Sequence, residues 1–446
     1  MNAQGDDSHM AETMSAKLCR QELQYMSPGL QEVAQLSQLV IKEAKGCWLT
    51  DLDGRRYLDI MAGVAVCSLG HTHPKYVAAV KEQLDKVVVG SFTSEARVAL
   101  LSLIASLTPP GLNKIQLYSG GAEAVEAAVR LSKSYTKKFE ILGFWGGFHG
   151  KTGGVMGLLG DPWKQNWGPL YPGLHLAPYA DCYRCPFKMD YPGCGMFCLD
   201  FIRTAIEKNT AGSLSAIIVE TMQGTAGNII PPPEFLPGLV EIARDHDALL
   251  IADEMITGFG RTGMMFGSNY TGVVPDIMTI GKGLGSGFPV SGLISTTEIT
   301  DSRPYSKPSS SSSSYGGNAL ASAAALVTIK TLLEESLVDN SHRMGEYFLN
   351  GLRNLQDKFE FIGDVRGRGL MIGVELVKDR RTKEPLNKAV TRQMFLETLK
   401  RGMVSMDYKA NFRINPPLVI TREEVDTALG ILDEVFTFVT RHIPYK

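Results

Sequence analysis

Apolar runs alternate with amphipathic helical stretches over residues 76–335. In the helical stretches, apolar residues recur every three or four positions, as in EAVEAAVRLSKSYTK, and this spacing predicts helices with one buried face. The runs between them are short and almost wholly apolar, as in LSAIIVE and ALLIADE, which indicates strands buried on both faces. Strands that alternate with helices predict an α/β large domain built on a mainly parallel sheet.

A second, smaller domain is predicted from the two ends of the chain. Residues 1–20 are polar, and we expect them to form a flexible N-terminal arm. Residues 21–75 contain Asp53-Gly54 between alternating apolar positions, which predicts a β-hairpin. Residues 336–446 change to long amphipathic helices that flank a few strands. We assign residues 21–75 and 336–446 to one small α+β domain.

Composition and charge exclude several classes of protein. The 446 residues are 21% charged with a formal net charge of −2, whereas a nucleic-acid or membrane-surface partner favours a basic excess. No apolar run reaches the roughly 18 residues of a membrane-spanning helix, and the polar, acidic N-terminus has no signal-peptide pattern. We therefore expect a cytoplasmic protein whose seven cysteines are reduced.

Two side chains suited to catalysis lie at the ends of predicted strands. Lys282 stands between two glycines directly after the apolar run IMTI. Asp253 lies near the end of the run ALLIADE, where a carboxylate needs a partner to offset its burial. Parallel sheets bind ligands outside the carboxyl ends of their strands, so Lys282 and Asp253 are candidate site residues.

Two glycine-rich turns add the remaining parts of a cofactor site. Gly120 and Gly121 precede a predicted helix, whose first N–H groups can bind a phosphate. Phe148 and His149 lie in a second turn, FWGGFHG. A phosphate site, an aromatic ring, a buried carboxylate and a lysine together indicate pyridoxal 5′-phosphate, whose aldehyde forms a Schiff base with lysine. A nucleotide site fits less well, because a glycine follows the lysine where a Walker loop needs serine or threonine.

Motifs along nearly the whole chain resemble the class III (subgroup II) aminotransferases of fold type I. The motifs are, in chain order, GHTHPKYVAAV, YSGGAEAVEAAVRLSK, FHGKT, IIVETMQGTAGNIIPP, LLIADEMITGFGRTG, DIMTIGKGLGSGFPVSG, SYGGNALASAAA and IGDVRGRGLMIGVEL. The C-terminal part also resembles dialkylglycine decarboxylase. The resemblance implies an enzyme that uses pyridoxal phosphate to move an amino group from an amine or amino acid to pyruvate or 2-oxoglutarate. It also implies a homodimer, or a dimer of dimers, with active sites at the subunit interface.

The resemblance implies a role for each candidate residue of the cofactor site. Lys282 would form the Schiff base with the cofactor, and Asp253 would contact its pyridine nitrogen. The other cofactor contacts would come from Gly120, Gly121, Phe148, His149, Glu220 and Ser314. Ser314 is the last of six consecutive serines and would reach the phosphate bound in the other subunit.

Four residues bear on the substrate. Arg413 would bind a substrate carboxylate in a bidentate pair, although an internal acid could pair with it instead. Lys151 could bind a distal anion or face solvent. Val64 replaces the glutamine with which dialkylglycine decarboxylase orients the carboxylate that leaves, so we favour transfer over decarboxylation. Thr225 replaces a glutamate that neutralises the matching arginine in many ω-aminotransferases, so we expect Arg413 to stay available for a carboxylate.

Three other activities stay open at this point. A lyase, either a decarboxylase or a phospho-lyase, would use the same cofactor, and so would an amino-acid racemase or epimerase. A fold relative without catalytic activity, acting in binding or regulation, is the third alternative. The presence of both Lys282 and Asp253 argues against it.

Four cysteines lie close together in DCYRCPFKMDYPGCGMFC. They are Cys182, Cys185, Cys194 and Cys198, and they follow a C-x2-C-x8-C-x3-C pattern that is compatible with a structural zinc site. The alternative is a thiol-rich loop without metal. If a metal is bound, we expect it to be structural and distant from the chemistry.

Overall fold

The computed structural model of the protein describes residues 13–160 and 162–445. Most of the arm predicted over residues 1–20 lies outside the described residues, and its last residues belong to the first helix. The N-terminal segment contains α1 (Met14–Tyr25), α2 (Glu32–Ser37), β1 (Ile41–Lys45), β2 (Trp48–Asp51), β3 (Arg56–Asp59) and α3 (Ala62–Ala65). The three strands pair in antiparallel order, and the predicted Asp53-Gly54 turn joins β2 to β3.

The middle of the chain alternates strands with helices, as predicted. Its elements are α4 (Pro74–Leu84), α5 (Glu95–Leu107), β4 (Lys114–Tyr118), α6 (Gly121–Thr136), β5 (Glu140–Phe144), α7 (Gly153–Met156), β6 (Leu174–Ala177), α8 (Phe197–Asn209), β7 (Leu214–Glu220), α9 (Phe235–Asp245), β8 (Leu249–Asp253), β9 (Ile277–Ile280), β10 (Ser291–Ser295), α10 (Thr297–Thr300) and α11 (Ala319–Glu334). Short 3-10 turns cover Pro162–Lys164, Gly267–Tyr270 and Lys282–Leu284.

Seven of these strands form one mainly parallel sheet in the order β4-β10-β9-β8-β7-β5-β6. Strands β9, β8, β7, β5 and β6 run parallel, and β10 runs antiparallel to both of its neighbours. Every residue of β7 and β8 is buried, because α6 packs against one side of the sheet and α8 and α9 against the other. The predicted mainly parallel sheet is confirmed.

The C-terminal segment builds a second layer of sheet and helix. Its elements are α12 (Leu337–Lys358), β11 (Ile362–Arg368), β12 (Met371–Asp379), β13 (Glu384–Pro385), α13 (Lys388–Lys400), β14 (Met403–Val404), β15 (Asn411–Ile414) and α14 (Arg422–His442). Strands β11, β12, β13 and β15 form an antiparallel sheet, whereas β14 pairs in parallel with β3 of the N-terminal segment. The pairing of β14 with β3 supports one small domain built from both ends of the chain; its boundaries stay predictions. Within the described residues, none of the helices has the length and apolar character needed to span a membrane.

Candidate active site

The carboxyl ends of three neighbouring parallel strands bring three charged residues together. Glu220 is the last residue of β7, and Asp253 is the last residue of β8. The two lie opposite each other in the sheet register, as do Asp253 and Thr279 of β9. Lys282 follows directly on the turn after β9. Residues from distant parts of the sequence therefore meet at one edge of the sheet, where ligands bind in folds of this type.

A cavity of about 510 Å³ opens at this edge of the sheet. The candidate residues that line it are Gly121, Phe148, His149, Lys151, Asp253 and Lys282. Val66, Ala122 and residues 288–290 also form its wall. Sequence reasoning missed these three regions, because small and apolar side chains carry no chemical signature that separates a site wall from ordinary core.

A buried pair formed by a histidine and an aspartate lies at the centre of the site. His149 Nδ1 and Asp253 Oδ2 are 2.7 Å apart, and both side chains are almost fully buried. Burial alone would raise the pKa of Asp253, but the hydrogen bond and charge of His149 hold it below its usual value. Burial would lower the pKa of His149, and the same contact with Asp253 raises it. Asp253 is therefore ionised at neutral pH.

Two further donors orient the Asp253 carboxylate. The backbone N–H of Met255 and the Oγ1 hydroxyl of Thr279 both donate to Asp253 Oδ1, each at 3.1 Å. Thr279 was not among the predicted site residues. Its signal was present, because it is the one polar residue in the buried run IMTI, and a buried hydroxyl needs a hydrogen-bond partner.

Lys282 lies in a tight turn at the cavity wall. Its backbone has a φ of +43°, in the left-handed region. A Cβ on Gly281 would lie 2.6 Å from Met255 Sδ, so the residue before the lysine must be small. Burial lowers the pKa of the Lys282 amine, although the charges of Asp253 and Glu220 partly oppose that effect. A lowered pKa increases the neutral fraction of the amine, which is the nucleophilic form.

The predicted phosphate turn lies at the start of α6. The Glu123 carboxylate accepts hydrogen bonds from the backbone N–H groups of Ser119 and Gly120, at 3.1 and 3.3 Å. The N–H of Gly120 is therefore already used. Gly121 and Ala122 line the cavity at the helix start, where N–H groups have no partner within the helix. The N–H groups left for a predicted phosphate are therefore those of Gly121 and Ala122 rather than that of Gly120.

Glu220 joins two loops beside the cavity. Its Oε1 accepts a hydrogen bond from the backbone N–H of Phe148, and its Oε2 accepts one from that of Gly224, both at 2.9 Å. Burial raises the pKa of Glu220, while the charge of His149 opposes the rise. The carboxylate thus ties the loop that carries the aromatic Phe148 to the loop that follows β7.

Lys151 lies at the wall of the cavity rather than in a loop distant from it. Its Nζ is 4.3 Å from the ring centroid of Trp163 and 5.8 Å from that of Phe148. Cations are attracted to the faces of aromatic rings, so both rings favour an ammonium group at this position. The Lys151 side chain also stays exposed, so the structure is compatible with both predictions made for it.

Arg413 is a buried guanidinium on β15. Its Nη1 lies 3.5 Å from the carbonyl oxygen of Gly224, and within residues 13–160 and 162–445 it forms no ion pair with an acid. Burial lowers the pKa of Arg413, although the charges of Tyr408 and Glu220 oppose the effect. The alternative of an internal acid partner therefore has no support in the described residues. Arg413 does not line the cavity that contains Lys282, and its binding of a substrate carboxylate stays a prediction.

Val64 and Ser314 do not line the cavity in this chain. Val64 belongs to a left-handed turn over residues 62–65, where its φ is +68°, an uncommon conformation for a β-branched residue. The Asp59 carboxylate supports this turn by accepting hydrogen bonds from the N–H groups of Met61 and Ala62. Ser314 is exposed, and its role in a second subunit stays a prediction.

The four clustered cysteines, three in the loop before α8 and Cys198 in the first turn of α8, surround a small space of about 20 Å³. Burial raises the pKa of both Cys182 and Cys198 to about 11, and the neighbouring cysteines add to the rise. In the described part of the chain, no three His, Cys, Asp or Glu side chains are placed so that they could hold a metal ion. The structure therefore gives no support to the zinc alternative.

Known proteins with similar sequences decide the family. The profile of the aminotransferase class-III family matches residues 30–436. The chain belongs to this family. The ornithine aminotransferase of Exiguobacterium sp. is 35% identical over 410 residues, which cover 89% of this chain and 92% of that protein. The leucine/methionine racemase of Thermococcus litoralis is 34% identical over 409 residues, which cover 90% of this chain and 91% of that protein.

A solved structure extends the similarity to the fold. The (S)-enantioselective omega-transaminase of Thermomicrobium roseum superposes with a TM-score of 0.89 at 30% sequence identity, covering 95% of this class-III aminotransferase and 98% of that chain. The protein is thus an α/β enzyme of fold type I, and its cofactor is pyridoxal 5′-phosphate. These comparisons confirm the predicted fold, enzyme class and cofactor. The roles of individual residues stay predictions.

The residues of the cavity fit this cofactor. An ionised, buried Asp253 suits a protonated ring nitrogen, and Phe148 supplies an aromatic ring. The start of α6 at Gly121 suits a phosphate, because its N–H groups and the helix dipole both favour an anion. A bound aldehyde requires a nucleophile, and the buried amine of Lys282 suits that predicted role.

Proposed function

We propose that this enzyme moves an amino group from an amine or amino acid to a keto acid, with Lys282 as its catalytic base and nucleophile. The observation that carries the proposal is the amine of Lys282, with a pKa lowered by burial, in the same cavity as the ionised Asp253. Bound pyridoxal phosphate supplies the aldehyde that takes up the amino group and the ring that accepts electrons.

Each residue of the site has a defined task in this proposal. Lys282 Nζ, in its neutral form, removes a proton from the substrate carbon and returns one later in the cycle. Asp253 Oδ2 offers an ionised oxygen to the ring nitrogen, and the His149 contact keeps that oxygen ionised. Phe148 stacks on the ring, in a loop that Glu220 holds in place through the Phe148 N–H.

We assign recognition of the keto acid to Arg413. A buried guanidinium without an acid partner binds a carboxylate in a strong bidentate pair. Pyruvate and 2-oxoglutarate are the expected acceptors. Thr225 adds no charge beside the guanidinium, so the carboxylate meets no competing acid at that position.

Replacement of Lys282 by alanine tests the mechanism. We expect a loss of amino transfer on the order of 10³-fold or more, as for removal of other residues at the reacting centre. The measurement is the appearance of both products, the keto compound from the donor and the amino acid from the acceptor, over a panel of amines and keto acids. Lys81→Ala, an exposed lysine on α4, is the matched control and should keep wild-type turnover. A Lys282→Ala enzyme with full turnover would refute the mechanism.

Amino-acid racemisation is the second candidate function. The similarity to the leucine/methionine racemase of Thermococcus litoralis favours it over the lyase alternatives. Racemisation needs no keto acid, whereas amino transfer does. Loss of optical rotation from a single amino acid, without any keto acid in the reaction, would identify a racemase.

We further propose a homodimer, or a dimer of dimers, located in the cytoplasm. An apolar surface, formed by Val87, Val88, Val89 and Phe92, is exposed between α4 and α5, and exposed apolar patches mark association sites. Arg97 donates hydrogen bonds to the carbonyls of Phe92 and Gly317, so this surface lies beside the loop that carries Ser314. The seven cysteines are free thiols, which fits a reducing compartment.

A further inference from the structure

The small domain holds the loop that follows β7. This loop, residues 224–228, belongs to the large domain and carries Gly224, whose N–H donates to Glu220. Asn411 Nδ2 donates to the carbonyl of Ala226 at 2.9 Å. Arg413 itself contacts the Gly224 carbonyl. The position of the Arg413 guanidinium is therefore coupled to the position of the 224–228 loop.

Arg366 on β11 binds the far end of the same loop. Its Nη2 donates to the carbonyl of Gly227 at 2.8 Å, and its Nε donates to that of Asn228 at 3.2 Å. The guanidinium also forms ion pairs with Asp364 and with Glu375 Oε1, each at 2.7 Å. One planar group thus joins two backbone carbonyls to two carboxylates, which a lysine ammonium cannot reproduce.

Glu375 on β12 joins this contact to the large domain. Its side chain is 3% exposed, and its Oε2 accepts hydrogen bonds from Nε and Nη2 of Arg184 at 3.1 and 2.9 Å. Arg184 belongs to the cysteine-rich loop before α8. A buried carboxylate therefore lies between two guanidinium groups, one from each domain, and its charge holds both of them.

The register of the sheet connects Glu375 to the substrate arginine. Glu375 of β12 pairs with Asn411 of β15, and Gly373 of β12 pairs with Arg413. A Cβ on Gly373 would lie 2.2 Å from the carbonyl oxygen of Gly227, so the strand and the 224–228 loop are in close contact. A shift of the loop relative to β12 therefore reaches Arg413 directly.

We propose that Glu375 is a positioning residue for recognition of the substrate carboxylate. By holding Arg366 on the Gly227 and Asn228 carbonyls, it keeps the 224–228 loop, and through that loop Arg413, in the orientation that binds a carboxylate. The inference rests on the proposed function, because it takes Arg413 to be the carboxylate site. Glu375 contacts neither cofactor nor substrate in this account.

The test separates carboxylate recognition from the rest of catalysis. Glu375→Gln removes the charge with little change of shape, and Arg366→Lys keeps a charge but cannot reach both carbonyls. For each holoenzyme variant we would measure KM for 2-oxoglutarate, and the Kd of glutarate, which lacks the keto group, by calorimetry. A second arm measures single-turnover consumption of a primary amine without a carboxylate. Arg381→Gln is the matched control, because Arg381 lies in the turn after β12 with its side chain 91% exposed and its charge paired with Asp379.

We expect Glu375→Gln and Arg366→Lys to raise the KM for 2-oxoglutarate and the Kd of glutarate about tenfold, within the ~100-fold that a 1 Å misplacement can cost. Single-turnover consumption of the primary amine should stay within about twofold of wild type. Arg381→Gln should match wild type in both arms. Equal losses in the two arms, or unchanged KM and Kd, would overturn the proposal. If Glu375→Gln does not fold, Arg366→Lys decides the question.

Arg413→Ala distinguishes this inference from the proposed function. If Arg413→Ala raises KM and Kd but Glu375→Gln and Arg366→Lys do not, only the positioning role is wrong. If Arg413→Ala also leaves both constants unchanged, the carboxylate site itself is misassigned, and the inference fails with it.

Discussion

At the scale of single residues, buried charges differ in how their partners satisfy them. Glu254 is fully buried and accepts hydrogen bonds from the N–H groups of Gly267 and Ser268, both at 2.8 Å. In the described part of the chain, Lys282 and Arg413 form no ion pair with an acid side chain. The Glu254 carboxylate thus serves the fold, whereas a buried cation without an acid partner is a candidate for binding a ligand. This difference is the best residue-level argument for the roles assigned to Lys282 and Arg413.

The His71–Asp59 pair predicts a pH dependence of stability. His71 Nε2 and Asp59 Oδ2 are 3.0 Å apart. Burial would lower the pKa of His71, but the hydrogen bonds with Asp59 and Cys67 raise it to about 10. The folded state thus binds a proton that the unfolded state releases near pH 6.5. This contribution to the free energy of unfolding is complete below about pH 6.5 and is lost as the pH rises to about 10.

Urea unfolding of His71→Gln between pH 6.5 and pH 10 tests that dependence. The variant should lose about 1.5–3 kcal/mol of unfolding free energy at pH 6.5 and much less at pH 10, so its curve is flatter. The control is His442→Gln, an exposed histidine at the end of α14, which should keep the wild-type slope. A constant difference between His71→Gln and wild type across this pH range would contradict the prediction.

At the scale of elements, one glycine sets the distance between α6 and the loop that carries Phe148 and His149. Gly150 has a φ of +112°, and a Cβ there would lie 2.4 Å from Cβ and 2.8 Å from Cα of Ala122. Gly150→Ala should therefore push the loop of Phe148 and His149 away from the helix start. We expect a loss of about 2–4 kcal/mol in unfolding free energy, together with weaker retention of pyridoxal phosphate, measured by dialysis and absorbance.

Gly153→Ala is the control for that substitution. A Cβ on Gly153 would meet no atom within 4 Å, and its φ is not in the left-handed region, so alanine should be neutral or slightly stabilising there. If Gly150→Ala retains cofactor and stability as well as Gly153→Ala does, the close approach of Gly150 to α6 is not required for cofactor binding or for stability.

Elements were predictable from sequence where one local rule determined them. The run LSAIIVE predicts β7 with its exact bounds, because a strand buried on both faces has a continuous apolar run. Strand β10, SGLIS, was missed because its serines and glycine have low strand propensity. A Cβ on Gly292 would lie 2.8 Å from the carbonyl oxygen of Gln116, so contact with the neighbouring strand, which the local sequence does not reveal, selects glycine.

The same limit applies to the candidate site. Lys282 and Asp253 were predicted because their types are unusual at the ends of apolar runs. The contact between His149 and Asp253 was not, since it joins a loop to the end of strand β8, 104 residues apart in sequence. Nor could sequence show that the N–H of Gly120 is used by Glu123, because that depends on the side-chain rotamer at the start of α6.

At the scale of the whole molecule, the two domains share one hydrophobic core. Leu58 of β3, Ile280 of β9, Phe361 beside β11 and Val435 of α14 belong to the same cluster of buried side chains. Motion of the small domain therefore cannot be independent of the strand that ends near Lys282, because packed cores transmit displacement. The apolar surface at Val87–Phe92 lies outside this core and needs a different partner.

We predict that this surface is covered by a second copy of the chain. Sedimentation or light scattering should give two or four times the 48.6 kDa of one chain. Val88 is 47% exposed, and Val88→Glu should shift the protein towards monomer, because an interface that buries a charge without a partner is destabilised. Val274, 51% exposed on another part of the surface, is the matched control, and Val274→Glu should leave the assembly unchanged.

If Ser314 serves the neighbouring active site, dissociation by Val88→Glu should also lower cofactor retention, and a higher protein concentration should restore it. A wild-type monomer, or a Val88→Glu assembly as stable as that of Val274→Glu, would contradict the predicted interface.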